Sequence, residues 1–166
     1  MNKVLSTACL ALLLMSACKN GENRMAEIKD LSHLEEKTDG NWLVNLEYLP
    51  AAMAKGDTME YCFTVNIRAK DPAKPIEADD PKFSFGTDSL FCIITQTDTL
   101  FPVFTTRVAN GKLTGLQYMV IFDKAAVPEN DRLVFLFKDW LFTNRKLEFI
   151  LPVMDIHTID SLSLHI

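Results

Sequence analysis

Residues 61–68 read YCFTVNIR, and this stretch decides the fold class. Every second residue is large and apolar, from Tyr61 to Ile67, and the residues between them are smaller or polar. This period of two is typical of a β-strand that buries one face, whereas a helix would space its apolar residues three and four apart. The stretch therefore predicts a strand whose aromatic and branched face lies in a core.

Seven further segments have the same aromatic and β-branched character, and clusters of turn-forming residues separate them. They cover about 42–47, 89–97, 100–108, 113–122, 133–138, 146–151 and 156–165. Asn110-Gly111 stands between two of them and tolerates the positive φ angles of a tight hairpin. Eight candidate strands in about 125 residues predict an all-β sandwich or barrel.

One part of this pattern resembles a known family. Residues 113–115 read LTG, residues 120–123 read VIFD, and after a polar connection with Pro128 the chain continues as LVF at 133–135. This order resembles the later strands of telokin-like immunoglobulin domains of bacterial lipoproteins, over about a quarter of the mature chain. The Cys-Trp-Cys pattern of antibody-type domains is missing from the sequence. The resemblance implies an immunoglobulin-like β-sandwich of about 7–8 antiparallel strands, and it implies no activity.

The first residues predict export of the protein. Lys3 precedes about a dozen mostly apolar residues, and the small pair Ser16-Ala17 ends the run. This order is typical of a cleaved signal peptide. The run is shorter than the roughly 20 apolar residues that span a bilayer, so we expect no membrane-spanning helix here.

Residues 14–18, LMSAC, resemble the lipobox of bacterial lipoproteins. The resemblance implies cleavage after residue 17, acylation of Cys18, and the lipid bilayer as the partner of that cysteine. Met15 stands where the family prefers leucine or another aliphatic residue. A plain secretory peptide with an incidental cysteine is the alternative. Several acyl chains on one cysteine hold a membrane firmly, so we expect a tethered protein.

Residues 18–40 are polar and predict a tether that begins at lipidated Cys18. Within the tether Met25, Ile28, Leu31 and Leu34 recur at every third position, which is typical of one face of a short helix over about 26–37. A disordered stalk is the alternative. We therefore expect the β-sandwich domain to span residues 41–166.

The charge of the mature chain excludes one class of partner. The 17 basic residues include Lys3, so 16 remain against 22 acidic residues, a formal net charge of -6. This balance does not favour nucleic acid or anionic lipid. The expected location is the bacterial cell envelope, with the outer membrane favoured because Lys19, rather than aspartate, follows the cysteine. The sequence leaves the periplasmic and surface faces open.

Cys62 and Cys92 remain after Cys9 is removed with the signal peptide and Cys18 is lipidated. A disulfide could persist in the envelope, provided that the Cα atoms approach within about 7 Å. Two buried thiols are the alternative, and the sequence slightly favours them.

Patterns that carry catalysis are missing from the sequence. There is no Gly-x-Ser-x-Gly elbow, no calcium loop and no phosphate-binding glycine pattern, so we expect no enzyme, no cofactor and no metal. Asp155 and His157 would share one face of the predicted last strand, and an envelope enzyme or metal-dependent protein centred on them is the alternative. A solvated strand edge explains the same two residues.

Two segments predict a binding surface. The long polar loop at 71–81 contains three prolines, and loops of this length are often functional. Trp140 and Phe142 lie between polar residues near a predicted turn, where they would contact a sugar, a peptide or a partner protein, or else plug one end of the sandwich. The sequence therefore predicts a membrane-anchored binding or assembly module with an envelope protein or glycan as partner. A lipoprotein that neutralises a toxin is a special case.

Overall fold

The computed structural model describes residues 23–54, 59–71, 76, 80–109, 115–127 and 132–164. Within these ranges nine β-strands form two sheets. The predicted signal peptide and Cys18 lie outside the described residues. So do Asn110, Gly111, Pro128 and most of the predicted loop at 71–81.

The helices and strands are numbered here in chain order. They are α1 (23–32), β1 (His33–Asp39), β2 (Trp42–Leu49), α2 (Ala51–Ala54), β3 (Glu60–Ala69), β4 (Phe91–Ile94), β5 (Thr99–Leu100), β6 (Phe104–Val108), β7 (Gly115–Asp123), β8 (Val134–Asp139), β9 (Arg145–Ile150) and α3 (Val153–Ser163). Three 3₁₀ helices cover Pro81–Phe83, Thr87–Leu90 and Lys124–Ala126.

The strands follow the order of an immunoglobulin domain. One sheet has the order β1-β2-β3-β7-β6 and the other β5-β4-β8-β9, with every neighbouring pair antiparallel. Strands β2, β3, β7 and β6 occupy the places of strands A, B, E and D, and β4, β8 and β9 occupy those of C, F and G. The predicted immunoglobulin-like sandwich is confirmed, with nine strands among the described residues instead of seven or eight.

The core lies between the two sheets and is largely aromatic. The alternation in 61–68 is confirmed, because Tyr61, Phe63, Val65 and Ile67 are all buried. Phe63 of the first sheet packs against Phe135 of the second, with ring centroids 5.4 Å apart. Interdigitated rings of this kind bury large apolar areas, which hold the sheets together.

The folded domain begins before the predicted boundary at residue 41. Residues 23–32 are helical, Ile28 is buried in the core, and β1 pairs with β2 from His33 opposite Glu47 to Asp39 opposite Trp42. The helix predicted over 26–37 is therefore correct in its first part and wrong from residue 33. The boundary at residue 41 lies inside the fold, and residues 23–40 are not a free tether.

The predicted strand at 156–165 is wrong, because Val153–Ser163 forms α3. Ile156 and Ile159 are buried at a spacing of three, so this helix packs one stripe onto an end of the sandwich. His165 lies outside the described residues. The segment predicted at 100–108 is divided into β5 and β6 around Pro102, which cannot donate to a β-ladder.

Candidate binding surface

Three parts of the chain meet at one end of the sandwich. Trp42 begins β2, Phe83 ends a 3₁₀ helix after the predicted 71–81 loop, and Phe142 lies between β8 and β9. The ring of Phe142 stacks on Phe83 at 5.5 Å and 19°, and it lies 4.1 Å from Trp42 between ring centroids. We call this end, with Trp42, Phe83, Phe85, Trp140 and Phe142, the aromatic end. The 3₁₀ helix that ends at Phe83 therefore adjoins the turn that contains Trp140 and Phe142.

Asp139 fixes the turn between β8 and β9. Its side chain is 1% exposed, and its carboxylate accepts the backbone N–H groups of Leu141, Phe142 and Thr143 at 3.1–3.2 Å. The hydroxyl of Thr143 donates to the same carboxylate at 2.6 Å. A buried carboxylate is stable only when hydrogen-bond donors surround it, as they do here. Asp139 thereby orders the turn that contains Trp140 and Phe142.

Side-chain contacts also hold the neighbouring segment at residues 80–83 in place. The hydroxyl of Tyr118 on β7 donates to the carbonyl of Phe83 at 2.9 Å, and burial raises the pKa of this hydroxyl above its usual value. Asp80 accepts the N–H of Lys82, and the two side chains form an ion pair at 2.9 Å. This contact with Lys82 lowers the pKa of the Asp80 carboxyl. Gly86 has a φ of 68°, which favours glycine, where the chain turns toward β4.

Trp140 and Phe142, predicted as a pair, lie in different surroundings. Phe142 is half-buried in the aromatic stack, as the plug alternative describes. Trp140 is 60% exposed, as a contact residue would be. Phe85, which is 79% exposed, joins it at this end, since it follows Phe83 by two residues. No sequence pattern distinguishes Phe85 from the other phenylalanines, because its exposure depends on how Phe83 is anchored.

Cys62 and Cys92 are free and buried thiols. Each stands between inward-facing neighbours, Cys62 after Tyr61 and Cys92 after Phe91, so each points to the outer face of its own sheet. The thiols therefore face away from each other, and a disulfide between them would require a different register. Burial raises the pKa of Cys62 to about 11 and that of Cys92 above its usual value.

Asp155 and His157 do not share a face. Both lie in α3, where residues two positions apart in the sequence are separated by about 200° around the helix axis. Among the described residues no group of three or more His, Cys, Asp or Glu side chains could hold a metal ion. The acid of this helix that makes specific contacts is Asp160, which accepts from the Tyr48 hydroxyl at 2.7 Å and pairs with Lys124 at 2.8 Å.

No family model, no curated protein and no solved structure matches this chain. Within the part of the chain that the structure describes, every helix is too short or too polar to cross a membrane.

Proposed function

We propose that this protein is a lipid-anchored lipoprotein of the bacterial cell envelope, and that it binds an envelope protein or glycan through its aromatic end. The observation that carries the proposal is the exposed Trp140 on a turn that Asp139 holds in place. Rigid, exposed aromatic side chains supply large contact areas at a small cost in entropy. The protein acts by binding, without a cofactor or a catalytic step.

The surroundings of Trp140 agree with an interface. Phe85 and Trp140 offer apolar surface, and two ion pairs lie at the same end of the sandwich, Lys82 with Asp80 and Arg145 with Asp39 at 3.2 Å. An apolar centre with a charged rim is typical of protein interfaces. The loops concerned join the strands in the B–C and F–G positions, which carry the binding loops of immunoglobulin variable domains. The shared loop positions support the location of the surface and do not indicate the partner.

The lipid anchor is proposed from the lipobox resemblance at Cys18, and the outer membrane is the favoured location. Replacement of the cysteine tests this part. We expect the Cys18→Ser protein to lose its acyl chains and to leave the membrane fraction, whereas wild-type protein stays there. Equal membrane association of both proteins would contradict the anchor.

Site-specific photo-crosslinking in intact cells tests the binding surface. A photoreactive residue at position 140 should give a discrete adduct with one partner, and the same residue at position 85 should give the same adduct. Position 148 is the matched control, because Glu148 is exposed on β9 away from the aromatic end. An adduct of equal yield from position 148, or none from 140 and 85, would contradict the proposal.

A further inference from the structure

The three α-helices among the described residues gather at the end of the sandwich opposite the aromatic end. Helix α1 leads into β1 at His33, which lies opposite Glu47 near the end of β2, and α2 follows β2 directly. Helix α3 is tied to the same end, because Asp160 contacts Tyr48 near the end of β2 and Lys124 just after β7. Trp42, in contrast, begins β2. We call this opposite end, formed by α1, α2 and α3 with residue 59, the helical end.

The helical end exposes large apolar side chains. Four methionines and one leucine there are each 40–78% exposed. They are Met25 on α1, Met53 on α2, Met59 before β3, Met154 on α3 and Leu164 just after α3. Soluble surfaces rarely collect several such side chains, and collections of this kind mark contacts with proteins or membranes.

Two neighbouring clefts bring part of this apolar set together around α2. A groove of about 650 Å³, with largely apolar walls, runs between α1 and the segment from β2 to α2, and both Met25 and Met53 line it. Leu164 lines a second cleft with Ala51 and Ala52 of the same segment. The exposed positions of α3 are Met154, Asp155, Thr158 and Ser161, of which Asp155 alone carries a charge.

The sequence places the proposed anchor close to this end. Five residues, 18–22, separate the lipidated cysteine from residue 23, the first described residue of α1, and five residues reach at most about 18 Å. Strand β3 has 10 residues and, at roughly 3.3 Å per residue, separates the two ends by about 30 Å. A chain anchored at Cys18 therefore holds its helical end near the bilayer, while its aromatic end can project away.

We infer that the helical end docks on the phospholipid bilayer, with its methionine and leucine side chains in the interface and the aromatic end facing away from the membrane. This inference rests on the proposed lipid anchor and deepens it, because it sets the direction in which Trp140 points. Met side chains suit such a contact, since they are flexible and adapt to an irregular surface. Acidic residues such as Glu27, Asp30 and Asp155 lie on the same helices, so the contact depends on apolar side chains and needs no anionic lipid.

Methionine oxidation of the unaltered protein tests the inference. Acylated protein is added to preformed phosphatidylcholine vesicles, recovered by flotation and treated with chloramine-T, and sulfoxides are mapped by peptide mass spectrometry. The Cys18→Ser protein in solution is the reference. We expect Met25, Met53, Met59 and Met154 to oxidise severalfold more slowly on vesicles than in the reference.

Met119 is the internal control, because it is partly exposed on the outer face of the first sheet, within β7. Its oxidation rate should be the same in both samples. Equal rates at the four methionines, or equal protection of Met119, would overturn the inference. Protection that occurs in native membranes but not on protein-free vesicles would also overturn it, in favour of a protein partner. Wild-type protein that fails to float would refute the anchor itself, which separates that failure from a wrong orientation.

Discussion

Replacing Asp139 is the sharpest test of how the candidate binding surface is built. In Asp139→Ala the N–H groups of Leu141, Phe142 and Thr143 lose their acceptor. The hydroxyl of Thr143 loses the same acceptor. Each of these four hydrogen bonds contributes roughly 0.5–1.5 kcal/mol, and water partly replaces them because the turn is half-exposed. We therefore expect the free energy of unfolding to fall by about 3 kcal/mol. Total stabilities are commonly about 5–15 kcal/mol, so this loss would be a large share.

Urea denaturation, followed by tryptophan fluorescence and extrapolated to water, measures the change. Asp123→Ala is the matched control, because Asp123 also ends a strand and caps the next turn, but it accepts one bond, from the N–H of Ala125 at 2.9 Å. We expect the control to lose less than about 1 kcal/mol. Asp139→Asn should fall between the two, because its amide keeps one acceptor oxygen. A loss for Asp139→Ala no larger than that of the control would refute the idea that this carboxylate orders the turn.

Three further predictions concern the core and the thiols. Phe142→Ala should lower the free energy of unfolding by about 2–3 kcal/mol in the same urea assay, less than a fully buried phenylalanine, because its ring is half-buried in the aromatic stack; a loss under about 0.5 kcal/mol would contradict the stack. Gly115→Ala should destabilise the pairing of β7 with β3, since a Cβ atom would lie 3.1 Å from the carbonyl oxygen of Ile67; an unchanged thermal midpoint would show that the strands shift freely. Burial raises the pKa of the Cys62 thiol from 9.0 to about 11. The contribution of this buried neutral thiol to the free energy of unfolding is therefore fully present below pH 9 and is lost as the pH rises toward 11. Stability measured across this range should fall less in Cys62→Ala than in wild type, and parallel pH profiles would contradict this.

Strand β3 could be predicted from the sequence because its two faces meet different surroundings. Its inward residues pack against the second sheet, so its large apolar residues recur with a clean period of two. Strand β1 could not be predicted, because it is an edge strand with charged residues such as Glu35 and Lys37, which also suit a helix. Lys37 faces inward at this edge and lies 5.5 Å from the ring centroid of Phe149, a contact between distant residues that no local pattern reveals.

The helix at the C-terminus was mistaken for a strand for a related reason. Ile156, Ile159 and Leu162 recur at every third position, but Ile156, Thr158 and Ile159 are β-branched and favour a strand by propensity. Burial against the end of the sandwich outweighs this preference in the folded protein. The candidate surface was predictable in part: Trp140 could be recognised by its polar flanks, whereas its neighbour Phe85 depends on how the 3₁₀ helix at Pro81–Phe83 is anchored.

The affinity of the protein for the partner captured at position 140 tests the central claim most directly. Trp140→Ala should raise the dissociation constant by about 30-fold, which is the effect of losing a central aromatic contact worth roughly 2 kcal/mol. Met154→Ala is the matched control, since Met154 is 78% exposed at the opposite end, and it should leave the constant unchanged. A Trp140→Ala protein that binds as tightly as wild type would contradict recognition through the aromatic end.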